Sequence, residues 1–530
     1  MDPVPKAVAG NYKAMKEAFV SDLHGGSHWE INAITLVAPA AALLWASLQA
    51  RQAFFRPYTP LAYLTDFLIH CGAILFATTA YADNPLVLNG LLILPGIAAF
   101  TNLSAPQPRR GPKLSKTEKT SEEVDGSERR DGQDELPTKP FVTTYRGMMM
   151  IITCTSILAV DFHVFPRRFA KVENWGTSLM DMGVGSFVFS AGLVSAKAVL
   201  KDRMTTERYG KSKSFVTRFV EAVRHSIALF ALGVIRLWAV KGLDYAEHVT
   251  EYGVHWNFFF TLALIPPAVA LLRPLLDRVF SQGGFALIIA VAYEAVLTYS
   301  DLSRYIITAP RVDFLSKNRE GIFSFIGYFA IFLVGQGMGL NVLRRDPESL
   351  AKVKTQEDVW IASMLGGEDA EKKVLRDLRP RDSALFSLAK WTAIWSLMFL
   401  GPYRFRSLAT LVSRRLANLP YVLWVCAFNC AQLTLFCGIE KLFFPNLYTP
   451  KDKQTERERC EEATSKVLRA FNRNGLAVFL LANLLTGAVN LALPTLNMGD
   501  VEAMAVLVGY TATLCGAALA LDHYDVSIKL

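Results

Sequence analysis

Asp161 and Lys171 stand ten residues apart in a short polar segment between two apolar runs, Met148 to Val160 and Leu179 onward. A carboxylate can accept a proton, and an ammonium can steady a developing anion. At the edge of an apolar region both charges are costly to desolvate unless they pair or work. Either they form a boundary ion pair that shapes a turn, or they do chemistry. His163, two residues beyond Asp161, is a further group able to share a proton-accepting role. Arg167 and Arg168 follow; a guanidinium matches phosphate geometry, and two arginines at a membrane edge serve equally well as headgroup anchors.

Three other segments have the same character. The first is Tyr12 to Asn32, with Lys16, Asp22 and Glu30. The second is Glu251-Tyr-Gly-Val-His255-Trp256-Asn257, and the third is Asn318-Arg319-Glu320-Gly321. Each also has a plain structural reading. His255 and Trp256 suit interface anchors. Asn318 suits a helix cap, with Glu320 in the first turn. Arg319 is a further candidate for a phosphate. Asp66, His70, Arg146, Asp181, Arg224, His225, Arg236, Glu294 and Lys390 lie deeper in apolar runs. Such groups face an interior pocket; Arg236 and Glu294 are a candidate pair, or one of them meets an anionic substrate group. Gly183 and Gly185, at small-residue spacing, are expected at helix contacts.

The elements that position these residues are membrane helices. The chain has 530 residues, 52% hydrophobic and 19% charged, and its charges are clustered. Apolar runs of about 20 residues recur, each long enough to cross the hydrocarbon core as a helix. Strands of a barrel would alternate apolar and polar, and these runs do not. The fold class is an all-α polytopic membrane protein of about thirteen spans: 31–50, 61–82, 85–101, 141–162, 177–199, 221–241, 253–272, 282–300, 321–343, 383–401, 419–439, 474–494 and 501–521. An odd number sends the two termini to opposite sides. Lys and Arg concentrate in alternate loops, which predicts a lumenal or exterior N-terminus and a cytosolic C-terminus. That orientation, chosen from loop charge alone, puts all four polar segments on one side, as a single site would require.

The whole chain, 1–530, reads as one transmembrane domain with two cytosolic linkers. Segment 102–140 is rich in Lys, Glu, Ser and Asp and is expected to be disordered; segment 344–382 is the second. Asn102-Leu-Ser104 matches a glycosylation sequon but is expected to face the cytosol, unmodified. No cleavable signal is expected, because Met1 to Gly26 is polar. The net charge of +9 belongs to the loops and the basic stretch Lys201 to Arg218, and implies membrane lipid rather than nucleic acid. Six of the seven cysteines lie in apolar runs, which suits packing rather than a disulfide framework or a metal site.

Six stretches together carry a resemblance. They are Lys16-Glu-Ala-Phe-Val-Ser21, Ser27-His-Trp-Glu30-Ile-Asn32, Asp161-Phe-His-Val-Phe-Pro-Arg-Arg168-Phe-Ala-Lys171, Glu173-Asn-Trp-Gly-Thr-Ser-Leu-Met-Asp181-Met-Gly-Val-Gly-Ser186, Glu251 to Asn257, and Asn318 to Gly321. In these the chain resembles the glycosylphosphatidylinositol (GPI) inositol acyltransferases over its full length, apart from the two linkers. The resemblance implies an endoplasmic reticulum membrane enzyme. It implies transfer of a fatty acyl group, typically palmitoyl, from acyl-CoA to the inositol ring of glucosaminyl-phosphatidylinositol. It also implies that Asp161 and Lys171 are the catalytic pair. His163, Arg167, Arg168, His255, Trp256, Asn257, Asn318, Arg319 and Glu320 are then expected around the substrates. Acyl-CoA is a co-substrate; no bound cofactor, metal or obligate protein partner is expected.

Two other readings fit a polytopic chain with buried charges. One is a lipid transporter or scramblase, for which Pro266-Pro267 is the candidate helix break. The other is an O-acyltransferase with a catalytic histidine inside the membrane, where His70 and His225 are the deep histidines.

Overall fold

The apolar runs fold as helices because only helices satisfy their own backbone groups away from water. The computed structural model describes residues 6–101, 136–210, 213–242, 249–279, 281–345, 383–404, 411–448 and 453–528. Residues 102–135, with the Asn102 sequon, and 346–382 lie outside the described residues, and most of both linkers with them; the ends that are described belong to the bundle, Pro140 opening a helix and Arg345 pairing with Glu456.

The helices are α1 (Lys6–Val20), α2 (His28–Gln52), α3 (Pro60–Thr78), α4 (Pro85–Thr101), α5 (Pro140–Ala159), α6 (Leu179–Tyr209), α7 (Phe215–Gly242), α8 (Phe258–Leu276), α9 (Gln282–Tyr299), α10 (Arg319–Val342), α11 (Ala384–Arg404), α12 (Leu419–Phe443), α13 (Gly475–Ala492) and α14 (Asp500–His523). Eleven helices among the described residues are long and apolar enough to cross a membrane. The thirteen expected spans exceed this by two. α4 is only 17 residues long. α7 is 28 residues long but carries Arg218, Glu221, Arg224, Arg236 and Lys241. Pro266 and Pro267 do not break α8, which runs continuously through them. That removes the sequence feature that favoured a transporter.

Contact between α6 and α10 forms the centre of the bundle. It depends on small residues: a Cβ on Gly335 would collide with the Phe189 carbonyl, and one on Gly192 with the Phe332 carbonyl. α12 packs against α2, α5 and α11, and α13 against α5.

Hydrogen bonds sort the loops into two ends. At one end Gln49 donates to the Glu462 carbonyl (3.2 Å), Arg345 pairs with Glu456 (2.6 Å) and Asn474 donates to the Val526 carbonyl (2.9 Å). At the other, Lys16 reaches Asn490 (2.7 Å) and Glu173 N–H meets the Leu23 carbonyl (3.1 Å). Residues 12–16 and 526–528 therefore lie at opposite ends of the bundle.

Candidate active site

Every polar segment singled out in the sequence converges on the Lys16 end. Gly26 and Thr177 form a β-bridge, with Gly26 N–H donating at 2.8 Å. Gly176 turns there with φ +140, and a Cβ on it would strike the His24 carbonyl. Val254 N–H donates to the Lys317 carbonyl (2.9 Å), and His255 N–H to Asn318 Oδ1 (2.8 Å). The loop 411–418 joins them: Ser413 Oγ donates to the Asn174 carbonyl (2.6 Å) and Gly176 N–H to the Val412 carbonyl (2.8 Å). Helices entering at this end are capped by Ser27, Ser178, Asn257 and Asn418, whose side chains accept first-turn N–H groups.

Asp161 follows the last turn of α5. Its Oδ2 accepts from Asn490 Nδ2 at 2.7 Å, and Asn490 Oδ1 accepts from Lys16 Nζ at 2.7 Å. The amide thus lies between a cation and an anion, and that placement fixes its orientation. Burial pushes the Asp161 carboxyl above its ordinary value; Asn490, Lys16 and Arg167 oppose the shift without cancelling it. His163 is exposed, and its ring stands edge-on to Phe19 at 4.6 Å.

Lys171 belongs to a different network. Its ammonium pairs with Glu251 at 2.6 Å. Glu251 lies 3.4 Å from Arg414, and Arg414 pairs with Asp181 at 2.6 Å. Asp181 also accepts from Ser178 Oγ (2.7 Å) and Val172 N–H (3.1 Å). Burial alone would raise the Glu251 carboxyl, but Lys171 and then Arg414 hold it down at about 2. The boundary ion pair between Asp161 and Lys171 is not formed among the described residues. Each charge has its own partner, because the loop between them folds over the 3₁₀ turn Arg167–Phe169.

The arginines divide sharply. Arg168 is committed to Glu30 (2.6 Å) and Asp83 (2.5 Å). Arg319 is buried and donates to the Ile306 and Ser316 carbonyls (2.7 and 3.0 Å). Arg167 donates through Nη2 to the Phe162 and Phe165 carbonyls and stacks its guanidinium over Phe19 at 3.8 Å. Its Nε and Nη1 have no protein partner, and burial lowers it to about 10.

The remaining candidates hold the framework. Asn257 caps α8 and donates to the Gly233 carbonyl (2.9 Å). Trp256 turns inward, donating to Thr261 Oγ1 (3.0 Å) and packing on Gly321, so it is no outward interface anchor. Asn318 does not cap α10, because its Oδ1 is taken by His255 N–H. Glu320 receives Arg311 (2.5 Å) and Arg415 (2.7 Å). Glu294 accepts from Leu419 N–H at 2.9 Å.

Sequence reasoning missed Asn490, Arg414 and Arg415. Asn490 is one uncharged residue in an apolar run, and only the fold brings it to Asp161. Arg414 and Arg415 read as ordinary loop charge, although both are buried. The available signal was that Asp181, deep and acidic, needed a cation.

Below this polar end lies a narrow, mostly apolar cavity between α2, α5, α6 and α12. Leu179 and Met182 line its upper part, next to Ser178 and Asp181. Asp161, Lys171 and Arg167, whose Nε and Nη1 are buried without a protein partner, thus stand at the polar end above an apolar cavity.

The sequence model of the GWT1 family matches residues 12–521. The chain is 50% identical over 525 residues to GPI-anchored wall transfer protein 1 of Gibberella zeae, covering 98% of this chain and 99% of that protein. It is 50% identical over 524 residues to the protein of the same name from Emericella nidulans, with the same coverage. Identity to the Saccharomyces cerevisiae protein of that name is 39% over 523 residues, again covering 98% and 99%. With the match running through the loops that build the polar end as well as the helices beneath it, the chain belongs to the GWT1 family.

Proposed function

We propose that this protein is an acyltransferase of GPI-anchor biosynthesis in the endoplasmic reticulum membrane. Its reaction moves a fatty acyl group, palmitoyl in the simplest case, from acyl-CoA to the inositol 2-hydroxyl of glucosaminyl-phosphatidylinositol. The polar end faces the lumen, as the loop charges predict. The observation that carries the reading is Asp161. It is a carboxylate that burial raises above its ordinary pKa and a neutral amide orients, in a loop where Arg168 and Lys171 are committed to ion pairs. Family membership supports the pathway.

Asp161 takes the proton of the inositol hydroxyl, and the oxygen attacks the thioester carbonyl. The tetrahedral oxyanion is steadied by Lys171, whose part-exposed ammonium is paired with Glu251. The C–S bond breaks, and the thiolate takes the proton from Asp161. An ester and free CoA remain, and the carboxylate is restored. A thioester leaves readily, so no covalent enzyme intermediate is required. Arg167 meets the acceptor's phosphate through Nε and Nη1, while Arg168, Arg319, Trp256, Asn257, Asn318 and Glu320 shape the loops around it. His163 and His255 border the acceptor.

The test is acyl transfer from palmitoyl-CoA to glucosaminyl-phosphatidylinositol by purified wild type, Asp161→Asn and Lys171→Ala. Active wild type with both variants folded and inactive is expected. Two active variants would make the pair structural; an inactive wild type with intact substrates would overturn the reading.

A further inference from the structure

The cavity beneath the polar end has a floor. Along α5 its lining runs from Thr153 down to Tyr145. That stretch of eight residues is about 12 Å long at 1.5 Å per residue, most of the roughly 15 Å depth of one leaflet of the hydrocarbon core. At the bottom, Tyr145 Oη donates to Asn429 Oδ1 at 2.6 Å, and its ring lies 6.5 Å from that of Phe436. Both Tyr145 and Phe436 are buried. Past Phe436 a second narrow cavity begins. It is lined by Phe141 and Thr144 of α5 and by Ala42 and Trp45 of α2, and Phe436 borders both cavities. One aromatic ring therefore separates two spaces stacked along the same helices.

The wall carries a second signal. Gly183 was expected at a helix contact, but a Cβ there would meet only Thr153 Oγ1, at an ordinary 3.9 Å. On the same helix, a Cβ on Gly185 would collide with Val425. Gly185 brings helices together; Gly183 leaves room inside the cavity.

We propose that Phe436, with the Tyr145–Asn429 pair beside it, sets the length of acyl chain the protein accepts, and that Gly183 sets the cavity's width above this floor. This rests on the acyl-transfer reading. The chain enters from the polar end, its carbonyl stays near Lys171 and Asp161, and its terminal methyl stops against Phe436. A longer chain must displace the floor. A shorter one leaves methylenes unburied, each worth about fourfold in affinity.

The experiment compares saturated acyl-CoAs from lauroyl to behenoyl in competition, using full-length wild type, Phe436→Ala and Gly183→Leu. Phe436→Ala joins the two cavities and should move the optimum to longer chains, raising the ratio of the longer product to the palmitoyl product roughly tenfold. Gly183→Leu fills open space and should move the optimum to shorter chains. An active wild type with the same length profile in both variants, or a loss equal at every length, overturns the floor alone. If Phe436→Ala does not fold, Gly183→Leu decides, since its added carbons enter free volume. A wild type that transfers from none of these donors overturns the acyl-transfer reading, and the role of the floor with it.

Discussion

The two ends of one loop hold their charges in opposite ways. Asp161 leans on an amide, which tolerates either protonation state of its partner. Lys171 is fastened by Glu251, which is tied through Arg414 to Asp181. One carboxyl in this pair of networks is pushed up by burial; the other is held at about 2 by two cations. The linkage signs follow. Glu251 adds stability that is complete above its ordinary value near 4.3 and is lost as pH falls toward 2. Asp161 does the reverse: ionising it in the folded state costs stability above its raised pKa, and protonation relieves that cost. A group that must change charge in each cycle sits where changing charge is easy. A group that must stay charged is locked.

The largest break in that comparison is Asp161→Asn. It keeps the shape and a hydrogen-bonding side chain but removes the proton acceptor, so turnover should fall roughly 10²- to 10⁴-fold. The thermal unfolding midpoint should stay at or slightly above that of wild type, because a buried charge is gone. A large drop in that midpoint would show that the carboxylate is structural instead.

Glu251→Gln attacks the other network and should cost less. Lys171 loses its anchor, and a hydrogen bond between charged groups is worth about 1.5–3 kcal/mol, so turnover should drop roughly ten- to hundredfold. Arg414 keeps Asp181, so the bundle should fold. The acid limb of the pH–rate profile should not move, because Glu251 takes no proton in the working range. A limb that moved with this variant would mean that the two networks act as one.

The sequence carried the architecture because bilayer thickness dictates apolar runs of a set length, and loop charge dictated which loops share an end. The gathering of the Asp161, Glu251 and Asn318 segments was legible for that reason. The exceptions are physical. α7 carries five charges within its length, and α4 is short, so neither meets the measure of a span. The pairing inside the site was not legible. Glu251 rather than Asp161 receives Lys171, and the choice depends on how a loop folds over a 3₁₀ turn, which leaves no periodic trace. Buried Arg414 and exposed loop arginines look alike in a string of letters. Gly183 and Gly185 differ by a little over half a turn of helix rotation, and only the neighbours distinguish contact from space.

Asn490→Ala gives the smallest effect and the finest discrimination. The Asn490 hydrogen bond lowers the Asp161 pKa against the burial that raises it. Removing the amide should therefore raise that pKa further and also release Lys16 from its oxygen acceptor. The working form of Asp161 is the carboxylate, so activity falls as pH drops through its pKa. The acid limb of kcat/KM should move to higher pH in the variant, while the plateau at alkaline pH changes by severalfold at most. Asn490→Asp should move the limb still higher, because a second carboxylate beside Asp161 disfavours its ionisation. Lys16→Met should shift it in the same direction by less, since Lys16 acts on Asp161 mainly through space. A limb that stays fixed in all three would assign the titrating base to another group, and His163, exposed and two residues away, is where the search would move.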